Sequence, residues 1–108
     1  MIHLTSSSRI FVAAQPADFR QGIDGLAALC QQRLSSNPRS GAIFVFINRN
    51  KTMVRALTYD TNGFWLMTKR LSKGKYKGWP CSDKPIQPLV AAQLRQLLSG
   101  DYRPIKSE

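Results

Sequence analysis

Apolar positions in this chain follow two periods, and the switches between them mark the elements. Arg9 to Ala14 reads Arg-Ile-Phe-Val-Ala-Ala, a short, partly β-branched run behind three serines and ahead of Gln15-Pro16, which predicts a strand and a break. Phe19, Ile23, Leu26, Ala27, Cys30 and Leu34 then recur at helical spacing, so a helix is expected over Ala17 to Leu34. Pro16 suits its start, Asp18 in a first turn would complement the helix dipole, and Ser35-Ser36-Asn37-Pro38 supplies a stop. Ala42 to Asn48 holds the unbroken run Ile43-Phe44-Val45-Phe46-Ile47, the mark of a central strand buried on both faces. Thr52 to Tyr59 and Phe64 to Leu71 read as two further strands of an antiparallel meander, with Asn62-Gly63 able to supply the positive φ angles of the turn. Side chains alternate along the second of these, so Phe64, Leu66, Thr68 and Arg70 share one face and Trp65, Met67, Lys69 and Leu71 the other. Ser72 to Pro85 is rich in Gly, Lys and Pro and reads as an irregular arm, and Val90, Leu94, Leu97 and Leu98 mark a last helix over Pro88 to Ser99, with Gly100 as its stop. The expectation is one α+β domain over residues 1–108, an antiparallel sheet of about four strands packed by two helices.

Gly22 and Gly25 interrupt the first helix, where each costs about 1 kcal/mol relative to alanine. Their spacing places them on neighbouring surface positions, open to close approach by the domain's own sheet or by a partner, and internal packing is the favoured reading.

A chain of 108 residues supports one core. With 43% hydrophobic and 20% charged residues it has globular composition, and no apolar run reaches the roughly 18 residues of a membrane span. The N-terminus lacks the basic and long apolar regions of a secretory signal, so a cytoplasmic protein is expected.

Charge changes the picture more. Sixteen Lys and Arg against six Asp and Glu give +10, a balance that favours association with a polyanion, nucleic acid first. The surplus is uneven. Arg49, Lys51, Arg55, Lys69, Arg70, Lys73, Lys75, Lys77 and Lys84 face only Asp60 and Asp83 within one third of the chain. In the arm, cations alternate with Tyr76 and Trp79 between glycines that let a backbone approach, as phosphate and base contacts require. The candidate nucleic-acid-binding residues are Arg49, Lys51, Arg55, Lys69, Arg70, Lys73, Lys75, Tyr76 and Lys77. For Trp79, packing into the domain is the favoured reading.

Catalytic chemistry has little support. His3 is the one histidine, Cys30 lies on the apolar helix face, and Cys81 sits in the arm without metal-ligand spacing, although neighbouring lysines would favour its thiolate. Asp18 and Asp24, six residues apart on a helix, would project about 120° from each other, Asp60 belongs to a turn, and Asp83 and Asp101 lie in or beside loops. No catalytic residue, metal site or cofactor is assigned.

The blocks Asp18-Phe19-Arg20-Gln21-Gly22-Ile23-Asp24-Gly25-Leu26-Ala27-Ala28-Leu29, Ile43-Phe44-Val45-Phe46, Tyr59-Asp60, Gly63-Phe64, Lys69-Arg70-Leu71 and Trp79-Pro80, in this order from about Leu4 to Arg103, resemble the TnpB accessory protein of the IS-66 class of bacterial insertion sequences. That family is distinct from the RNA-guided nuclease also called TnpB. The resemblance implies a bacterial mobile-element protein working beside a separate transposase, which carries the catalytic carboxylates, and a second small accessory protein. Tyr59 stands where the family often has Trp, Ser72 where it often has Glu, and the Lys77-Gly78 region is one residue longer. Two readings follow: a DNA-binding accessory factor that helps assemble the transposase on element ends or target, or a protein adaptor of the transposase, through an apolar or glycine-notched surface, with little DNA binding of its own.

Overall fold

A computed structural model describes residues 8–99. In chain order the elements are β1 (Ile10–Ala13), α1 (Ile23–Gln32), β2 (Ile43–Ile47), β3 (Met53–Asp60), β4 (Gly63–Arg70), β5 (Ile86–Leu89) and α2 (Ala91–Leu98). The sheet has five strands rather than about four, in the order β4-β3-β2-β1-β5, and every neighbouring pair is antiparallel except β1 with β2. That parallel pair follows from the helical crossover: α1 carries the chain back so that β2 starts where β1 started.

The sheet divides the interior into two hydrophobic clusters, one on each face, rather than the one core expected from chain length, which is why β2 is apolar at every position. On one face Leu26, Cys30 and Leu34 pack on Ala13, Phe44, Phe46 and Leu57. On the other, Leu94 and Leu97 pack with Ile10, Val12, Ile43, Val45, Ile47 and Val54. Alternation assigns the neighbours: Phe64 and Leu66 join the α1 side, and Ala56 the α2 side.

Helix α1 begins later than its apolar spacing implies. The carbonyls of Phe19 and Gln21, which a longer helix would turn to amides four residues on, instead accept hydrogen bonds from Arg55 Nη1 at 2.7 and 2.9 Å. Asp18 therefore lies in a turn ahead of the helix, closed by the Gln21 amide donating to the Asp18 carbonyl, and the first-turn acid is Asp24. Gly22 is the extended N-cap, and a Cβ there would meet nothing within 4 Å. Gly25 is internal and admits its own neighbour rather than the sheet or a foreign backbone: a Cβ on it would lie 2.7 Å from Gln21 Cβ and Oε1. At the other end Ser35, left-handed at φ 49°, ends α1, and the Ser36 amide donates back to the Cys30 carbonyl.

Two other expectations are corrected. Asp60 pairs with Gly63, so the hairpin loop is Thr61-Asn62; Thr61 takes the positive φ of 41°, and Gly63 belongs to β4. The last helix starts at Ala91, because Pro88 lies in β5 opposite Phe11. An edge strand tolerates that missing N–H. The Val90 amide donates to Gln93 Oε1 at 3.0 Å and opens α2. The readings of His3, Gly100 and Asp101 concern residues outside the described range.

Candidate nucleic-acid interface

Three connections meet at one end of the sheet: residues 14–22 after β1, residues 48–52 between β2 and β3, and residues 71–85 between β4 and β5. Backbone hydrogen bonds hold them together. The Ala17 amide donates to the Ile47 carbonyl, the Leu71 amide to Thr52, the Tyr76 amide to Lys51 at 2.7 Å, and the Ala14 amide to Pro85. Asn48 fixes the middle connection, its Oδ1 accepting from the Thr52 and Met53 amides at 2.9 and 3.0 Å. Lys51, at φ 59°, takes the left-handed conformation this turn requires.

The arm is a strap anchored by its aromatics. Tyr76 is 2% exposed and joins the α2-side core, and Trp79, half-buried, donates its Nε1 proton to the Ala13 carbonyl at 3.0 Å. The two rings meet edge to face at 6.5 Å. With Tyr76 turned inward, Lys73, Lys75 and Lys77 stay on the solvent side, and left-handed Gly74 and Gly78 flank the last two. Arg49, Lys51 and Arg70 are exposed at the same end, since Arg70 pairs with Met53 at the start of β3.

Three of the sequence-derived site residues have other tasks. Tyr76 is buried in the α2-side core, where its ring presents no face for base stacking. Arg55, half-buried, binds the carbonyls of Phe19 and Gln21, donates through Nε to Thr68 Oγ1 at 3.1 Å, and lies 4.8 Å over the Phe19 ring. Its charge ties the approach to α1 down onto β3. Lys69 points away from Arg70, as alternation requires, and its Nζ donates to the Leu98 carbonyl at 2.6 Å, where the end of a helix attracts a cation. Of the sequence-derived candidates, Arg49, Lys51, Arg70, Lys73, Lys75 and Lys77 remain as exposed cations at this end.

Sequence reasoning passed over Arg20 and Arg33. With Arg49 they line two adjoining hollows of about 300 and 360 Å³ beside α1, which share Ala17, Asp18 and Arg49. Arg20 is already engaged, its Nη2 standing 2.8 Å from Asp18 Oδ2 and its Nε 3.1 Å from both carboxylate oxygens. Hydrogen bonds from the Arg20 side chain and amide, with the positive field of Arg20 and Arg49, hold the Asp18 carboxyl down to about 2 from 3.8. The sign is that of a depressed carboxylate: its contribution to folding is complete above 3.8 and is lost as pH falls through about 2. A carboxyl-carbon NMR titration should place Asp18 near that lower value, and Arg20→Gln should return it toward 3.8.

The buried Tyr76 hydroxyl has no hydrogen-bond partner, and burial pushes its pKa up. Since an unsatisfied buried polar group costs about 1–3 kcal/mol, Tyr76→Phe should raise stability by about 1 kcal/mol, read as a higher urea midpoint at unchanged m. Cys30, fully buried, has its thiol pushed up to about 12 by desolvation, whereas Cys81 is exposed. No group of three or more His, Cys, Asp or Glu that could hold a metal ion occurs among the described residues, and no helix among them is long and apolar enough to cross a membrane.

The ordered blocks that run from Asp18 to Pro80 have an independent counterpart: the family profile described as IS66 Orf2-like protein matches residues 8–105. The chain belongs to the IS66 Orf2-like family. Two proteins of Sinorhizobium fredii (strain NBRC 101917 / NGR234) are similar to it. The uncharacterized protein y4hO is 36% identical over 96 residues, covering 88% of this chain and 83% of that one. The uncharacterized protein y4jC is 41% identical over 83 residues, covering 77% and 71%. No solved structure matches. As an IS66 Orf2-like protein the chain is a transposition-associated accessory protein, and that role suggests association with a transposase.

Proposed function

We propose that this IS66 Orf2-like protein is a non-catalytic, cytoplasmic factor that binds DNA, at element ends or target, through the basic end of its sheet and thereby assists a separate transposase and a second accessory protein. The observation that carries the reading is the strap: Tyr76 and Trp79 are spent as internal anchors, which leaves Lys73, Lys75 and Lys77 turned to solvent beside Arg49 and Lys51. Exposed cations on backbone fixed by hydrogen bonds suit phosphate contacts, which set position without reading sequence. Arg70 extends the same end, whereas Arg55 and Lys69 serve it by holding the fold.

The test is fluorescence anisotropy with a labelled terminal inverted repeat and a scrambled duplex, with and without the transposase. Binding by the protein alone, weakening steeply with salt, is expected. Binding seen only when the transposase is added would instead make the protein an adaptor. The glycine-notched surface that motivated an adaptor is not open at Gly25, where the Gln21 side chain occupies the space.

A further inference from the structure

The two edges of the sheet are unlike. β5 is four residues long and carries Pro88, both ordinary protections of an edge. β4 is eight residues long without proline, and its outer row of N–H and C=O groups faces no other strand among the described residues. On it Trp65 is 51% exposed. Beside Met67 on the same face lies an apolar hollow of about 150 Å³ between β3, β4 and α2, lined among others by Ile43, Val54, Ala56, Leu94 and Leu98.

We propose that this edge binds a second copy of the chain, β4 pairing antiparallel with its own counterpart about a twofold axis through Leu66, so that two five-stranded sheets become one of ten. Side-chain parity restricts the register. Residues opposite each other in an antiparallel pair point to the same face, so an odd position must meet an odd one and an even position an even one. With Leu66 on the axis, Trp65 meets Met67 of the second copy, a sulfur–aromatic pairing that covers the exposed indole. Phe64 meets Thr68, and Gly63 meets Lys69.

Charge selects this orientation. β4 carries Lys69 and Arg70 at one end, while the other end lies against Asp60, the cross-strand partner of Gly63. Gly63 has no side chain, so Lys69 of the second copy passes over it toward Asp60 in the same row. Two strand spacings, about 9.5 Å, separate the Lys69 and Asp60 backbones, a gap that the two side chains bridge together. Asp60 already accepts the Trp65 Nε1 proton at 3.0 Å, which orients its carboxylate on this face. In exchange Lys69 gives up its bond to the Leu98 carbonyl. Antiparallel pairing also sends the two basic ends to opposite poles of the joined sheet. On the DNA-binding reading, on which this consequence alone rests, the dimer holds two duplexes rather than one.

Sedimentation equilibrium of the full chain without DNA tests the pairing. A dimer is expected, and Trp65→Lys should weaken it at least about tenfold with unchanged far-UV circular dichroism, since Trp65 belongs to neither core. Lys69→Asp should weaken it too, and adding Asp60→Lys should restore it, a rescue that a general loss of stability would not give. In a Cys81→Ser background, Leu66→Cys should cross-link to itself under mild oxidation. A wild-type chain that stays monomeric at about 100 µM, or a dimer indifferent to Trp65→Lys, overturns the proposal. A monomer that binds DNA sinks only this inference, and a dimer that binds none sinks only the DNA reading.

Discussion

Replacing Arg55 by alanine should cost the domain about 2–4 kcal/mol, the sum expected for hydrogen bonds from a charged donor to two carbonyls and a cation over an aromatic ring. In a domain of this size that lowers the thermal midpoint by about 10–20 °C. The loss comes from the junction rather than from the sheet alone. Without the guanidinium the Phe19 and Gln21 carbonyls lose their partner, Phe19 loses its cover, and the turn that starts α1 is no longer tied to β3. Arg55→Lys should recover only part of the loss, because an ammonium on a flexible stem does not reproduce a planar fork that serves two carbonyls and Thr68 together. Scanning calorimetry of the two variants reads the effect, and an unchanged midpoint in Arg55→Ala would show that the junction holds without it.

Charge reversal at Lys73, Lys75 and Lys77 should have the opposite signature. DNA affinity falls at least about tenfold near physiological salt, and the slope of log affinity against log salt flattens by up to about 0.9 for each phosphate that is no longer neutralised. The thermal midpoint stays near wild type, because all three side chains are exposed on a strap held from inside by Tyr76 and Trp79. Anisotropy at several salt concentrations beside calorimetry separates the two classes of cation. If the triple variant keeps wild-type affinity and slope, the strap is not in the interface.

Arg55 and the strap lysines also mark where sequence patterning stops. Ile43-Phe44-Val45-Phe46-Ile47 declares a central strand because both of its faces are buried, and the alternation in β4 places Lys69 and Arg70 on opposite faces without coordinates. Periodicity over-extends α1 because it reports which side chains are apolar, not which carbonyls are free. Phe19 fits the helical stripe and lies with the α1-side core, yet its carbonyl goes to an arginine 36 residues away. β5 escapes because four residues with a proline carry no strand signal until β1 is known to lack a partner on that side. In the strap the cations are legible and their roles are not. Arg55 and Lys73 look alike in composition, and Tyr76 looks like a stacking platform until the strap is seen to cross the α2-side core. Irregular backbone has no period from which an inward side chain can be read.

The most direct test is a ¹H–¹⁵N NMR titration of the protein with a duplex from an element end, which identifies the binding surface residue by residue. Shifts should concentrate in residues 49–51 and 73–78, with smaller ones in 17–22 along the same end of the sheet. Shifts confined to β5, α2 or the opposite end, where Arg9 and Arg39 lie, or none at all, would contradict DNA binding through the basic end.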